Sequence, residues 1–473
     1  FTGLIAAQTK TLGIVTLNST SNVYEEVSLG TGLDSVQRWF VGLHQTIVSS
    51  NDYDGTSTYA MPTLTTSYVY DCDTGTPSIC SGTSPTGFGN ATQITAAETY
   101  TSDNSTKITT NTFDNDATNW FLGRLRTANV QSTVNAMPVL TRHTSYTYDS
   151  SSGLLTSEIV EPGAADPTLT LETDYGYDYF GNKTTATTKG CVWISSTQCT
   201  IDAVGNPTSV RTTTAAFDQT TYHGSFSTSV TNPKSQTESL TYDLRFGEPN
   251  SRTGPNGLAT SWTYDTFGRK TLEARPDGNK TSISYTYCTG LPSGESCPTG
   301  AQFDVIVTPQ NSSGAQNGPI TITYFDGLSR PLASEVEGFD GPGTSCTLAA
   351  PCWIRTATQY DTDGRVAQTS RPYFLSGGTP KWTVNTYDVL GRIKQTTFPD
   401  SSKVTFGFQG LTTTTTNDKS QTTTTVKNAQ GQVASVTDAN SKTTTYTYDA
   451  FGDQLTVTDP TTQTAAIGGA PAA

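Results

Sequence analysis

The chain has 473 residues, of which 33% are hydrophobic and 14% are charged, and its formal net charge is −14. Helix formers such as Leu, Ala, Glu and Lys are too scarce for a helical bundle. Thr makes up about a fifth of the chain and 10% of it is aromatic, a composition that favours strands and predicts an all-β protein. The excess of 41 acidic residues over 27 basic ones argues against binding to nucleic acid or to an anionic membrane surface, which needs a clustered basic face.

The N-terminal part of the chain gives the weakest pattern. The segment Phe1–Lys10 lacks a basic stretch followed by an apolar core, so no signal peptide is predicted there. The whole chain has no run of about 18 apolar residues, so no membrane span is predicted. We divide the sequence into a poorly repetitive β region at 1–69, degenerate repeats at 70–140, a dense repeat region at 141–460 and a linker-like tail at 461–473.

A motif that consists of an aromatic residue, an Asp, any two residues and a Gly recurs through the dense repeat region. Its copies step by 21 residues where no insertion intervenes, as from Gly247 to Gly268 and from Gly431 to Gly452. A second turn lies halfway, as at Gly254–Gly257 and Pro276–Asn279, and predicts consecutive antiparallel hairpins. The predicted turn residues of the clearest copies are Tyr177, Asp178, Gly181, Tyr264, Asp265, Gly268, Arg269, Tyr387, Asp388, Gly391, Arg392, Tyr448, Asp449 and Gly452.

The hydrogen bonding of Asp and the backbone freedom of Gly explain why the Asp-x-x-Gly motif recurs. Asp at the first position accepts backbone N–H groups, and Gly at the fourth takes positive φ, which predicts a type I turn closed by a bulge. We therefore expect positive φ at Gly268, Gly391 and Gly452. Alternation of Tyr and Thr places aromatic rings on one face of each strand and hydroxyls on the other. Since an isolated hairpin is unstable, neighbours must pair into one long sheet.

The eight cysteines form four close pairs, each around a loop rich in Gly, Ser, Thr or Pro. They lack the second Cys-x-x-Cys or His expected of a zinc site. We predict four local disulfides formed in an oxidising compartment. The pairs are Cys72 with Cys80, Cys191 with Cys199, Cys288 with Cys297, and Cys346 with Cys352.

Turns explain the candidate catalytic and metal-binding patterns better than functional sites do. The three histidines, His44, His143 and His223, are scattered, and no phosphate loop or nucleophile elbow occurs. The segments starting at Asp52 and Asp361 resemble the beginning of a calcium loop but lack its bidentate Glu, and turns explain them better. We predict no catalytic residue, no metal site and no cofactor.

The repeat resembles the YD repeat of the Rhs family, which includes bacterial Rhs polymorphic toxins, the C component of Tc toxin complexes, and teneurins. Tyr-Asp-x-x-Gly-Arg at 264–269 and at 387–392, the 21-residue period and the half-period turn carry the resemblance. It implies a strip of β-sheet that spirals into a hollow shell, which in bacterial members encloses a toxin. The family's closing core segment, with its cleavage aspartates, is not visible here, so autoproteolysis is not implied.

The resulting prediction is a non-enzymatic structural protein, secreted or at the surface of a bacterial cell. In the leading interpretation it forms part of a shell that encapsulates or presents a partner, such as a toxin. Unpaired sheet edges favour pairing with another chain, so a self-assembling filament subunit is an alternative. A carbohydrate-binding surface protein, with exposed aromatic residues against a surface glycan, is another alternative.

Overall fold

The computed structural model describes residues 4–31, 37–71, 88–164, 166, 169–193, 199–201, 210–289, 297–338, 352–461 and 464–466. Throughout this part the chain forms β-strands joined by turns, with no α-helix. The all-β prediction is confirmed.

The first third of the described chain contains the longest strands. Their bounds are β1 Ala7–Leu12, β2 Val15–Thr31, β3 Gln37–Tyr53, β4 Thr58–Ala60, β5 Thr63–Tyr70, β6 Ala91–Tyr100, β7 Asp103–Asp116, β8 Phe121–Val134, β9 Leu140–Tyr148, β10 Leu155–Val160, β11 Leu171–Tyr177 and β12 Lys183–Lys189.

The middle third contains shorter strands and a separate two-stranded ribbon, β13 with β14. The bounds are β13 Cys191–Trp193, β14 Cys199–Ile201, β15 Val210–Phe217, β16 Ser227–Thr231, β17 Thr237–Asp243, β18 Glu248–Thr253, β19 Ala259–Tyr264, β20 Lys270–Ala274, β21 Lys280–Tyr287, β22 Phe303–Gln310, β23 Thr321–Phe325 and β24 Pro331–Gly338.

The last third holds the most regular hairpins. The bounds are β25 Cys352–Tyr360, β26 Val366–Ser370, β27 Tyr373–Phe374, β28 Trp382–Tyr387, β29 Ile393–Thr397, β30 Lys403–Gln409, β31 Thr412–Asn417, β32 Thr422–Lys427, β33 Val433–Thr437, β34 Thr443–Tyr448, β35 Gln454–Thr458 and β36 Thr464–Ala466.

Apart from the short strands β4, β13, β14 and β27, each strand pairs antiparallel with the next one along the chain, so the hairpins add edge to edge into one continuous strip. The strip crosses the predicted boundaries at 69/70 and 140/141 without a break, through β5 and the pairing of β8 with β9. Within the described residues β1 pairs with β2 and β36 with β35, not with each other. The sheet is therefore an open strip and not a closed barrel, as predicted.

The strip is a single layer with two unlike faces. In β19 and β34 exposure alternates residue by residue, with Trp262, Tyr264, Tyr446 and Tyr448 on the half-buried face and Thr or Ser on the exposed face. No large side chain among the described residues is fully buried. Stability must therefore come mainly from contacts between neighbouring strands and repeats.

The turns alternate between the two long edges of the strip. We call the edge that carries the Asp-x-x-Gly turns the YD rim, and the edge that carries the halfway turns the half-turn rim. At 3.3 Å per residue, the 17-residue strands β2 and β3 make the strip about 56 Å wide near its start. The five-residue β33 and β35 narrow it to about 17 Å.

Candidate functional site

The YD turn is the repeating unit from which the strip is built. At Asp265, the backbone N–H of Gly268 donates to the Asp265 carbonyl at 3.1 Å, and the Asp265 N–H donates to the Arg269 carbonyl at 2.9 Å. The Asp265 Oδ1 accepts the backbone N–H groups of Phe267 and Arg269 at 2.9 and 3.0 Å. This is the predicted type I turn with a glycine bulge.

The fourth position of the turn adopts the left-handed conformation. The φ angle is +78° at Gly268, +84° at Gly391 and +98° at Gly452, as predicted. Ser329 occupies the same position in its repeat with φ +60°. Because this conformation strains residues with a Cβ, glycine dominates the position.

We expect Gly268→Val to lower the free energy of unfolding by about 2 kcal/mol, because the left-handed conformation strains a β-branched residue. A Cβ at this position would also lie 3.0 Å from Phe246 Cδ1. Gly257→Val is the matched control: φ is +75°, but no atom lies within 4 Å of the added Cβ. Urea unfolding should show the smaller loss in the control, and a neutral Gly268→Val would refute the assigned turn.

In most YD hairpins of the described chain, a β-bulge lies on the strand that follows the turn. In the hairpin of β19 and β20, Thr263 pairs with Leu272 but Tyr264 pairs with Lys270, so Thr271 is an extra residue. The same one-residue shift occurs at the aromatic position of the other YD hairpins and also at Tyr24, within the N-terminal region. A bulge interrupts the ladder of backbone hydrogen bonds locally.

The tyrosine of the next repeat donates its hydroxyl to the carbonyl that immediately precedes the extra residue. Tyr264 donates to the Pro249 carbonyl at 2.7 Å, and Tyr448 to the Val433 carbonyl at 2.9 Å. In the part of the chain that the structure describes, nine such contacts link successive repeats: Tyr70 to Leu43, Tyr148 to Leu125, Tyr177 to Leu155, Tyr242 to Ser227, Tyr264 to Pro249, Tyr285 to Lys270, Tyr360 to Pro331, Tyr387 to Val366 and Tyr448 to Val433. Each hydroxyl fastens one hairpin to the preceding one.

We expect Tyr264→Phe to lower the free energy of unfolding by about 1–2 kcal/mol, because a half-buried carbonyl loses its donor while ring packing is kept. Burial raises the pKa of Tyr264, so its hydroxyl stays a donor at neutral pH. Tyr179, 97% exposed, supplies the control: Tyr179→Phe should leave urea unfolding unchanged. Equal effects of the two substitutions would contradict the role of the bulge carbonyl.

The arginine that ends the YD turn makes a second link between repeats. Its Nε donates to the carboxylate of its own turn, as from Arg269 to Asp265 Oδ2 at 2.7 Å. Its guanidinium carbon then lies over the aromatic ring of the next repeat, 4.3 Å from the centroid of Tyr285. Arg330 over Tyr360, Arg365 over Tyr387 and Arg392 over Phe408 repeat this geometry at 4.4, 4.5 and 4.1 Å. Cation–π contacts of this kind stabilise the stacking of hairpins.

The lowered pKa values of the turn carboxylates predict how the stability of the fold depends on pH. The backbone N–H of Arg330, helped by its guanidinium, holds the pKa of Asp326 below its ordinary value. Hydrogen bonds from Ser151 and Thr220 do the same for the pKa of Asp149 and Asp218. Because the folded state binds these protons more weakly, the stabilisation is complete above the unfolded-state pKa of about 3.9 and is lost as pH falls through the folded values.

We therefore expect the melting temperature to fall steadily once the pH drops below about 4. Calorimetry across the acid range can measure this, and Asp326→Asn should show a shallower fall than the unmodified chain. A melting temperature that stays constant into strong acid would contradict the proposed turn chemistry.

The later repeats also contact the beginning of the strip. The Asp52 carboxylate, 6% exposed, accepts Arg392 Nη1 at 2.7 Å and the backbone N–H of Gly410 at 2.9 Å. Arg392 keeps its Nε on Asp388 at 2.7 Å, so one guanidinium joins two distant parts of the chain. The four-residue stretch at Asp52 is thus part of an internal interface, while Asp54 forms the predicted turn through the N–H groups at 56 and 57.

Two further contacts continue this interface along the strip. Asp103 Oδ2 accepts the backbone N–H of Ala429 at 2.7 Å, and Gln430 Nε2 donates to Glu98 at 3.2 Å. Both join a halfway turn of the early strands to a YD turn of the late ones.

The interface ends at β8 and β9. Ser132 Oγ donates to the Ala450 carbonyl, and the Arg142 guanidinium lies 5.0 Å from the centroid of Phe451. We call all these contacts the seam, β3 to β9 the first coil, and β28 to β35 the second coil. Residues that hydrogen-bond across the seam are 318 to 358 positions apart, so the strip winds through about one full turn.

A compact cluster of buried polar groups lies in the middle of the strip. Glu335 in β24 is paired across strands with Arg355 in β25, and Arg355 Nε donates to Glu335 Oε1 at 2.7 Å. The Tyr324 hydroxyl donates to Glu335 Oε2 at 3.3 Å, and burial raises the Tyr324 pKa. Ala301, Tyr324 and Ala333 pack beneath the Cys288–Cys297 disulfide.

The disulfide prediction is confirmed at one pair, Cys288–Cys297, with Cα atoms 5.8 Å apart. Cys352 is also disulfide-bonded, and its predicted partner Cys346 lies outside the described residues. The pair Cys72 and Cys80 lies outside them as well. Cys191 and Cys199 lie on the paired strands β13 and β14, and their bond stays a prediction.

Within the described residues, no group of three or more His, Cys, Asp or Glu is placed to hold a metal ion. The same part of the chain contains no helix long and apolar enough to cross a bilayer.

Comparison with known proteins agrees with this architecture. Residues 428–464, which span β33 to β35, match the family model of the RHS repeat. The structure of TcdB2–TccC3 without its hypervariable C-terminal region superposes with a TM-score of 0.65 at 11% identity and covers 94% of the chain. The chain thus carries an RHS repeat and has the fold of an Rhs-type shell. The resemblance to the Rhs/YD-repeat family that the motif indicated is confirmed.

Two other solved structures show the same likeness to this YD-repeat chain. The TcdB2–TccC3 complex gives a TM-score of 0.62 and the Photorhabdus luminescens Tc holotoxin pore 0.64, each at 10% identity and each covering 94% of the chain. The chain corresponds to 28% and 30% of those structures, less than a third of their length. At this identity the likeness is one of fold, that of an Rhs-type shell. None of the curated proteins compared with the chain matches it significantly.

In the structure each of these YD turns contains one set of the predicted repeat residues, and the turns lie along the YD rim of the strip. The structure joins one set, Asp388 and Arg392, to Asp52 across the seam. Sequence reasoning missed the seam and the tyrosine contacts between repeats. The tyrosine contacts had a signal in the sequence, because in uninterrupted repeats the tyrosine follows the residue whose carbonyl it contacts by 15 positions.

Proposed function

We propose that the chain is a structural wall: a wound YD-repeat strip that forms part of an extracellular Rhs-type shell and encloses or presents a partner. The seam supports this most directly. A strip whose late turns rest on its early ones, about one turn back, surrounds the space inside that turn. The enclosed partner is a toxin by analogy with the Tc toxin structures that share the fold.

A non-enzymatic role fits the way the polar residues are used. The repeated Asp, Arg and Tyr side chains hold their own turns or the neighbouring repeat, as Asp265, Arg269 and Tyr264 do. Their hydrogen bonds are directed to backbone groups and to each other. A side chain committed in this way stabilises a wall and is not available to a substrate.

Solution scattering and electron microscopy of the isolated chain test the proposal. A compact globule of this length has a radius of gyration of about 23 Å. We expect a clearly larger value and images with low density at the centre of the particle. A radius near that of a compact globule, with a filled centre, would overturn the proposed wall.

A second candidate function, a filament subunit, is favoured by one observation. Large apolar side chains lie exposed at the tips of the YD turns that the seam does not cover, among them Phe267 and Leu328. Such an edge suits contact with another chain.

A further inference from the structure

The seam shows how a YD rim is covered when another part of the strip lies against it. The turn tips there carry small residues, Ala429 at 6% and Ala450 at 8% exposure. The larger tip residue Phe451 is half-buried with the Arg142 guanidinium above its ring. At another seam tip Val389 stays 52% exposed, although a Cβ at Gly55 would lie 3.8 Å from its Cγ1.

The corresponding positions are exposed on the part of the YD rim that lies outside the seam, which we call the bare rim. Phe267 occupies the position of Phe451 in its own turn and is 79% exposed, and Leu328 in the next complete turn is 74% exposed. Tyr179 and Leu244 directly follow the first residue of their turns, as Ala429 and Ala450 do, and are also exposed. A row of this kind on one edge of a polar protein indicates an interaction surface.

A guanidinium of the YD rim meets a carboxylate of the half-turn rim in the seam. Arg392 uses Nε for its own turn aspartate and Nη1 for Asp52. On the bare part of the YD rim, Arg330 holds its turn aspartate through Nε in the same way. The half-turn rim carries exposed carboxylates such as Asp277, as well as exposed lysines such as Lys234.

We propose that the bare YD rim between residues 178 and 330 docks on the half-turn rim of a second copy of this chain, repeating the seam between molecules. The proposal rests on the wound strip of the proposed function and names its partner. The bare rim is continuous with the seam, and the seam already shows a YD rim resting on a half-turn rim. Since the two surfaces differ, the contact is head-to-tail and copies add in one direction.

Sedimentation velocity of the full chain over a wide concentration range tests the proposal. We expect the average mass to rise above that of the 50.3 kDa monomer as concentration increases. The double variant Phe267→Asn/Leu328→Asn should weaken association at least about tenfold, whereas Thr263→Asn on the exposed face should not. A monomer at every concentration, or equal association of the double variant, would overturn the inference.

A mixing experiment tests the polarity of the contact. Leu258 closes the halfway turn at Gly254 and is 53% exposed. The variant Asp277→Asn/Leu258→Asn therefore alters the half-turn rim and should also associate weakly. Mixed with the Phe267→Asn/Leu328→Asn variant, it should form heterodimers that do not grow, because each protein brings one intact rim. Absence of heterodimers would contradict head-to-tail docking. Microscopy of the monomeric rim variant separates this outcome from the proposed function, because the hollow particle should persist without association.

Discussion

Arg355→Met is expected to lower the free energy of unfolding by about 3–5 kcal/mol, the largest effect of any substitution considered. The change leaves the Glu335 carboxylate, whose side chain is 5% exposed, without its cation. Water cannot replace the lost partner at that depth, so the uncompensated charge destabilises β24 and β25. Urea unfolding, with hydrogen exchange across these strands, measures the loss.

Two variants make this result interpretable. Arg252 pairs with Glu238 on the surface, with 58% of the arginine side chain exposed, so Arg252→Met should cost less than about 1 kcal/mol. The double change Arg355→Met/Glu335→Leu removes both charges and should recover most of the stability. Equal losses for the buried and the surface arginine would mean that the cluster is solvated.

Replacing Cys288 and Cys297 together with Ser should lower the free energy of unfolding by roughly 2.5 kcal/mol. The bond closes a short loop, with a sequence separation of 9, and the chain-entropy relation gives about this value for such a loop. Exposure of the packed Ala301 and Leu332 would add to the loss. Calorimetry of the double variant beside the oxidised chain checks it.

The contradicting outcome for the disulfide is equally clear. An unchanged melting temperature after the double replacement would contradict this prediction, because it would show that the bond contributes nothing measurable to the stability of the chain.

The local structure could be predicted from the sequence because the same turn motif and strand pattern recur along the chain. The turn at Asp265–Gly268 follows from two residue types whose backbone preferences are strong, and the faces of β19 and β34 follow from strand alternation. The Cys288–Cys297 bond followed from proximity in sequence. Each of these features depends on residues fewer than about a dozen positions apart, where pattern and geometry coincide.

Long-range structure was not predictable by the same means. Asp52 pairs with Arg392 340 positions away, and the match depends on the accumulated twist of all intervening strands. No local pattern marks Asp52 as an interface residue, and its sequence suggested only a turn. The N-terminal strands were also harder to assign, since Tyr24 has the bulge of later repeats and Tyr70 has their hydroxyl contact, but neither is followed by the Asp-x-x-Gly motif.

The winding of the strip is tested most directly by a covalent link across the seam. Ser132 donates to the Ala450 carbonyl across 318 residues, so Ser132→Cys/Ala450→Cys places two thiols side by side. We expect peptide mapping of the dilute monomer to find these positions joined by a disulfide or a short bismaleimide linker. The pair Ser132→Cys/Phe267→Cys, with Phe267 on the bare rim, should stay unlinked. Failure of 132 and 450 to link within one chain would contradict the wound strip.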